Sequence, residues 1–246
     1  MDDGLDGLRR EVAVGCRVMA YRGLVENILG HISVRLDGER ALVRCRGPEE
    51  AGLRFTTTDD VRVVDLDSGE VIDDPAGEYA APSELPIHTS VLVARPDATC
   101  VVHAHPPDVV VASLAGFALE PIFGAYDIPA THLAAAGIPV HPHSVLIRSD
   151  ELAAEMVASL GSAEALVLKG HGVVTTGTDV AEAVLRALQL DTLARVHLRV
   201  RSAGTIPEAI PSADLAELPD LGGAFNRETL WRHHLAALEQ DGLGLN

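Results

Sequence analysis

The chain has 246 residues, 47% of them hydrophobic and 22% charged, close to the globular average, which excludes disorder and a disulfide scaffold. Thirty-six acidic against nineteen basic residues give a formal charge of −17, a field that repels nucleic acid and anionic membranes and favours solubility. The length suits one large domain or two small ones.

The opening Met1-Asp2-Asp3-Gly4-Leu5 lacks the basic start and apolar run of a signal peptide. No apolar stretch reaches the roughly 18 residues of a membrane span, so a cytoplasmic protein is expected. Cys16, Cys45 and Cys100 are odd in number and form no CxxC pair. Buried reduced thiols are the expectation, with a catalytic thiol as the alternative.

Leu5, Leu8, Val12, Cys16 and Met19 recur at helical spacing and predict a helix over 5–22. From His31 the period becomes two. Ile32, Val34 and Leu36 lie on one face and His31, Ser33 and Arg35 on the other, as in a half-buried strand with a polar side. Strands are also expected over 41–46 and 61–66, with Asp67-Ser68-Gly69 as a turn. Ser83 can cap a helix over 84–95 that tolerates Pro86 in its first turn and stops at Arg95-Pro96-Asp97.

A strand over 99–105 follows, closed by Pro106-Pro107. Helices over 108–115 and 150–160 precede an apolar run at 165–168, the glycine-flanked His171 and a short β run at 173–175. Val180, Val184, Ala187, Leu188, Ala194 and Leu198 mark a long helix capped by Thr178 or Asp179. Residues 203–223 read as a loop leading to a helix over 224–240. With no repeat or composition break, one α+β domain over 1–246 is expected, 203–246 being its loop and helix extension.

In Val101-Val102-His103-Ala104-His105 the histidines stand at i and i+2 of a strand, so both rings project from one face, about 7 Å apart along the backbone. That spacing suits two imidazole ligands on one cation, with zinc first and iron, manganese or cobalt as alternatives. An open catalytic site needs a third ligand. His171 fits, because Gly170 and Gly172 allow a close backbone approach, although a structural turn histidine would look the same. Glu84 opens the helix that feeds the HxH strand. There it is a helix cap, a general acid/base or a displaceable fourth ligand.

These segments resemble the class II aldolase/adducin superfamily. The likeness runs from Gly23-Leu24 and Gly30-His31-Ile32-Ser33-Val34-Arg35 through Ser83-Glu84-Leu85-Pro86-Ile87-His88 and Val102-His103-Ala104-His105-Pro106-Pro107 to Lys169-Gly170-His171-Gly172-Val173-Val174. It implies an αβα sandwich around a mainly antiparallel sheet, a homotetramer with active sites at subunit boundaries, His103, His105 and His171 as metal ligands, and Glu84 as acid/base. The non-enzymatic adducin branch has lost the metal histidines, which are present here.

Sugar-phosphate members of the family usually read Gly-Asn-x-Ser, Thr-Pro-Ser-Gly and Ser-Ser-Glu around a phosphate. Here the positions read Gly30-His31-Ile32-Ser33, Thr56-Thr57-Thr58-Asp59-Asp60 and Pro82-Ser83-Glu84. Each carboxylate roughly 4 Å from a phosphate charge costs about 1 kcal/mol even in water, so Asp59 and Asp60 argue against a phosphorylated substrate. Residues 121–130, with Tyr126, and 43–48 are similar to the family's aromatic-acid decarboxylase branch. This likeness implies decarboxylation of a hydroxylated aromatic acid such as a dihydroxyphthalate, with Glu84, Tyr126 or His31 delivering the ring proton. Arg35, Arg44, Arg46 and Arg148 are candidates to hold its carboxylate, each with a structural role as the alternative. The rivals are an aldolase on an unphosphorylated hydroxy or keto acid, an iron-dependent oxygenase of the same fold, and a non-catalytic adducin-like binding protein. Trp231, Arg232, His233 and His234 on the last helix are expected subunit-interface anchors.

Overall fold

A computed structural model describes residues 2–245; Met1 and Asn246, the ends of the expected domain, lie outside the described residues. The strands are β1 His31–Arg35, β2 Arg40–Arg44, β3 Val61–Asp65, β4 Cys100–Ala104, β5 Val140–His141, β6 Ala165–Leu168 and β7 Gly172–Gly177. They form one sheet in the order β3-β2-β1-β4-β7-β6-β5, antiparallel except for the β5–β6 pair. The main helices are α1 Asp2–Tyr21, α2 Leu85–Ala94, α3 Pro107–Ala115, α4 Ile128–Ala136, α5 Asp150–Leu160 and α6 Val180–Ser202.

Strand periodicity divides the interior into two cores. Cys100, Val102 and Ala104 of β4 join Val12 and Cys16 of α1 and Val184 and Leu188 of α6 on one face. Val101 points the other way, into a core with Ile87 and Val91 of α2 and Met156 and Leu160 of α5. Helices thus cover both faces of the sheet, the expected αβα sandwich. His103 shares the α2 face with Val101, because side chains two apart on a strand point the same way.

Several local expectations are corrected. The polar face of β1 is not solvated: His31 is 6% exposed and Ser33 is fully buried, because α2 lies over that face and supplies a histidine to bond them. Ser83 does not cap α2; Glu84 takes the N-cap position without a side-chain cap bond, its carboxylate being used elsewhere. The helix α4, capped by Asp127 through Ala130 N–H, and the two-residue β5 were not anticipated. The cap of α6 is Asp179, which accepts from Glu182 N–H.

The 203–223 stretch contains a short helix, α7 Ser212–Glu217. After it, α8 Gly222–Phe225, a π-helical turn Asn226–Trp231 and α9 Arg232–Gln240 run on as the last helix. His234 is buried against Arg22, whose Nη1 is 3.1 Å from its Nδ1, and Trp231 packs on the chain's own core. Two of the four expected interface anchors are therefore seated within the chain, while Arg232 and His233 stay exposed. Cys16, Cys45 and Cys100 are free and buried, and burial pushes the first two thiols up to about 12. Among the described residues no helix is long and apolar enough to cross a membrane.

Candidate metal centre

His103 sits near the end of β4, between His31 of β1 and Val174 of β7 in register. Just beyond the strand, His105 donates its backbone N–H to Leu24 O at 3.0 Å. His171 occupies the tight β6–β7 hairpin, where Gly170 has φ +63°. A Cβ on Gly172 would stand 2.2 Å from Ala104 O and 2.7 Å from His105 Cδ2. The absent side chain is what lets the hairpin close onto β4 and bring its histidine beside the other two.

One ligand atom from each of Glu84, His103, His105 and His171 falls within 4.8 Å of all the others. Nε2 of His103 and of His105 are 2.8 Å apart, directed at one point. His103 Nδ1 lies 3.0 Å from Val173 O, and since a carbonyl can only accept, Nδ1 carries a proton and Nε2 is the nitrogen that faces the cluster. Both ring nitrogens of His171 are buried without a hydrogen-bond partner among the described residues. Burial, followed by the neighbouring His103 and His171, pushes His105 down to about 3, so its ring is neutral at physiological pH. Two converging Nε2 atoms, one of them on a neutral ring, and an orphaned buried ring fit a divalent cation far better than an empty polar cluster.

Glu84 enters from the N-terminus of α2. Its Oε1 accepts from Ile147 N–H at 2.9 Å, and its Oε2 lies 3.5 Å from both His103 Nε2 and His171 Nε2. Burial pushes the carboxyl up, but His103 and His171 outweigh it and hold the group well below the usual carboxylate range.

Behind the cluster runs a second set of contacts. His31 Nδ1 is 2.6 Å from His88 Nε2, and His88 Nδ1 is 2.6 Å from Ser33 Oγ. The His31 and His103 ring centroids are 5.0 Å apart. Neither His88 nor Ser33 stands out as functional in the sequence. The available signals were the i,i+4 spacing of Glu84 and His88 on a helix and the i,i+2 spacing of His31 and Ser33 on a strand.

The arginines separate. Arg35 donates to the carbonyls of Leu92, Arg95 and Ala98, closing the end of α2, so its fork is occupied away from the cluster. Arg44 is buried and paired with Glu50 at 2.6 Å. Arg46 pairs through its backbone with Ala80, and Arg148 is exposed beside Ile147, the residue that holds Glu84. Tyr126 is 71% exposed and makes a T-shaped ring contact with Phe123. The carboxylate of Asp60 is taken by Thr57 N–H and Oγ1.

The profile of the Class II Aldolase and Adducin N-terminal domain matches residues 10–198, which hold all four clustered groups. The chain belongs to the class II aldolase and adducin family. A 3,4-dihydroxyphthalate decarboxylase of Arthrobacter keyseri is 52% identical over 233 residues, 94% of each chain, and a protein of the same name from a Terrabacter strain is 49% identical over 97% of this chain and all of its own. An aldolase II superfamily structure from Pseudomonas syringae superposes with a TM-score of 0.80 at 23% identity, covering 97% of this chain and 94% of that one. This class II aldolase and adducin family member therefore keeps the fold at low identity, and proteins named as decarboxylases are among its high-identity relatives.

Proposed function

We propose that the protein is a divalent-metal-dependent carbon–carbon lyase that decarboxylates a hydroxylated aromatic acid such as a dihydroxyphthalate. The observation that carries this reading is a complete three-histidine and glutamate cluster in a chain about half identical, end to end, to proteins named for that reaction. The whole chain acts as one catalytic domain. His103, His105 and His171 hold the cation, zinc in the first instance with iron, manganese or cobalt as alternatives. When bound, it supplies Lewis acidity toward a phenolic oxygen beside the reacting carbon.

Glu84 has the geometry for the proton work. Held as a carboxylate, it accepts the proton of the phenol next to the leaving group. The same carboxyl then delivers that proton to the ring carbon bearing the leaving carboxylate. The bond to that carboxylate breaks, its electron pair returns to the ring, and CO₂ departs. Arg148, exposed next to the residue that holds Glu84, and Arg46 are the arginines left to orient a substrate carboxylate.

The proposed assembly is a homotetramer in the cytoplasm, serving breakdown of aromatic compounds. Val111, Leu114, Val145 and Leu146 are exposed, and Leu114 borders the hairpin of His171, an apolar surface suited to a second copy. Metal analysis of purified protein, followed by a CO₂-release screen over hydroxylated aromatic acids, tests the reading. Oxygen uptake coupled to turnover would replace the lyase with an oxygenase.

A further inference from the structure

Ser33, His88 and His31 form a hydrogen-bonded line in which three polar groups share two short contacts of 2.6 Å. Such a line has two polarities. In one, Ser33 Oγ–H donates to His88 Nδ1 and His88 Nε2–H donates to His31 Nδ1, so His31 carries its own proton on Nε2. In the other, every proton reverses: His31 Nδ1–H donates to His88 Nε2, and His88 Nδ1–H donates to Ser33 Oγ. The Ser33 hydroxyl hydrogen then needs a further acceptor.

Ser33 is fully buried, and among the described residues its hydroxyl has no second partner. The second polarity therefore strands a buried donor, while the first satisfies every buried hydrogen in the line. His88 and Ser33 have no exposed surface, whereas His31 keeps 6%, so His31 is where the line reaches the site.

We propose that Ser33 and His88 are positioning residues that fix His31 as the Nε2–H tautomer, presenting a neutral N–H donor to an anionic oxygen of the substrate, carboxylate or phenolate. A neutral imidazole is a weak acid and a good hydrogen-bond donor, and enzymes use it to polarise substrate oxygens. His31 thereby leaves the set of ring-proton donors and joins the groups that stabilise charge. The substrate part of this inference rests on the proposed decarboxylase reading; the tautomer part does not.

The test is histidine ¹⁵N spectroscopy of the substrate-free full chain, with His31 assigned by its loss in His31→Gln, alongside metal content and kinetics. The expected spectrum has His31 protonated at Nε2 and bare at Nδ1, with that preference lost in Ser33→Ala. Ser33→Ala should keep its metal and lose roughly 10–100-fold in kcat/KM, the usual cost of a removed supporting partner. His31→Leu should lose roughly 100-fold or more, and His31→Gln, whose amide nitrogen lies near the position of Nε2, should recover part of it. A proton on Nδ1 of wild-type His31, a Ser33→Ala protein unchanged in either tautomer or kcat/KM, or His31→Gln no better than His31→Leu overturns the inference. If the wild type releases no CO₂ from any aromatic acid, the decarboxylase reading fails, and the spectra alone decide the tautomer.

Discussion

Ile147 and Glu84 divide the work of one carboxylate: the Ile147 N–H holds Oε1 at 2.9 Å, leaving Oε2 equidistant, at 3.5 Å, from the Nε2 atoms of His103 and His171. One oxygen is anchored to the backbone while the other faces the cluster. That asymmetry suits a group that moves a proton more than one that only completes a ligand set. Glu84→Gln is accordingly expected to retain metal and bind substrate, yet to lower kcat by roughly 10²–10⁴-fold. Single-turnover kinetics on metal-replete protein provide the check; a kcat within a fewfold of wild type would remove Glu84 from the chemistry.

His103→Ala, His105→Ala and His171→Ala are each expected to lose stoichiometric metal and nearly all activity while the fold survives. Elemental analysis beside circular dichroism measures both. Full metal retention in any of the three would strike that residue from the ligand set.

Gly172→Ala should fail for a steric reason, since its Cβ would sit 2.2 Å from Ala104 O, a backbone atom that cannot swing aside. The expected cost is about 1–3 kcal/mol of stability, with metal affinity reduced because the hairpin of His171 is pushed off β4. Denaturant titration of the variant reads the first effect and metal competition the second.

His234 supplies a pH dependence remote from the centre. Burial, then Arg22 and His233, pushes it down to about 4, below the roughly 6.5 of an unfolded chain. Between those values the unfolded state binds the extra proton, so this contribution is complete above about pH 6.5 and fades as pH falls toward 4. The full displacement corresponds to about 3 kcal/mol, which partial solvent screening reduces to on the order of 2 kcal/mol. Stability measured from pH 8 to 4 should therefore fall less steeply in His234→Gln than in wild type; parallel curves would contradict the assignment.

Much of this was legible in the sequence because the signals are local. The HxH pair needs only strand periodicity to put two rings on one face, and glycines on both sides of His171 announce a tight backbone approach. Most strands and long helices lie within a residue or two of their expected bounds for the same reason. What was illegible depends on tertiary cover. The polar side of β1 looked like a solvent face, because nothing in His31-Ile32-Ser33 reveals that His88 will lie over it. Arg35 looked free for substrate until the end of α2 claimed its donors, and Trp231 and His234 looked available for an interface until the last helix folded back onto α1.

The proposed reaction is tested most directly by CO₂ release from 3,4-dihydroxyphthalate and related acids by the metal-loaded protein, run beside a coupled aldol-cleavage assay on phosphorylated and free sugars. Metal-dependent CO₂ release with little or no sugar-phosphate cleavage is the predicted result. Robust cleavage of a sugar phosphate, with no CO₂ from any aromatic acid, would contradict it.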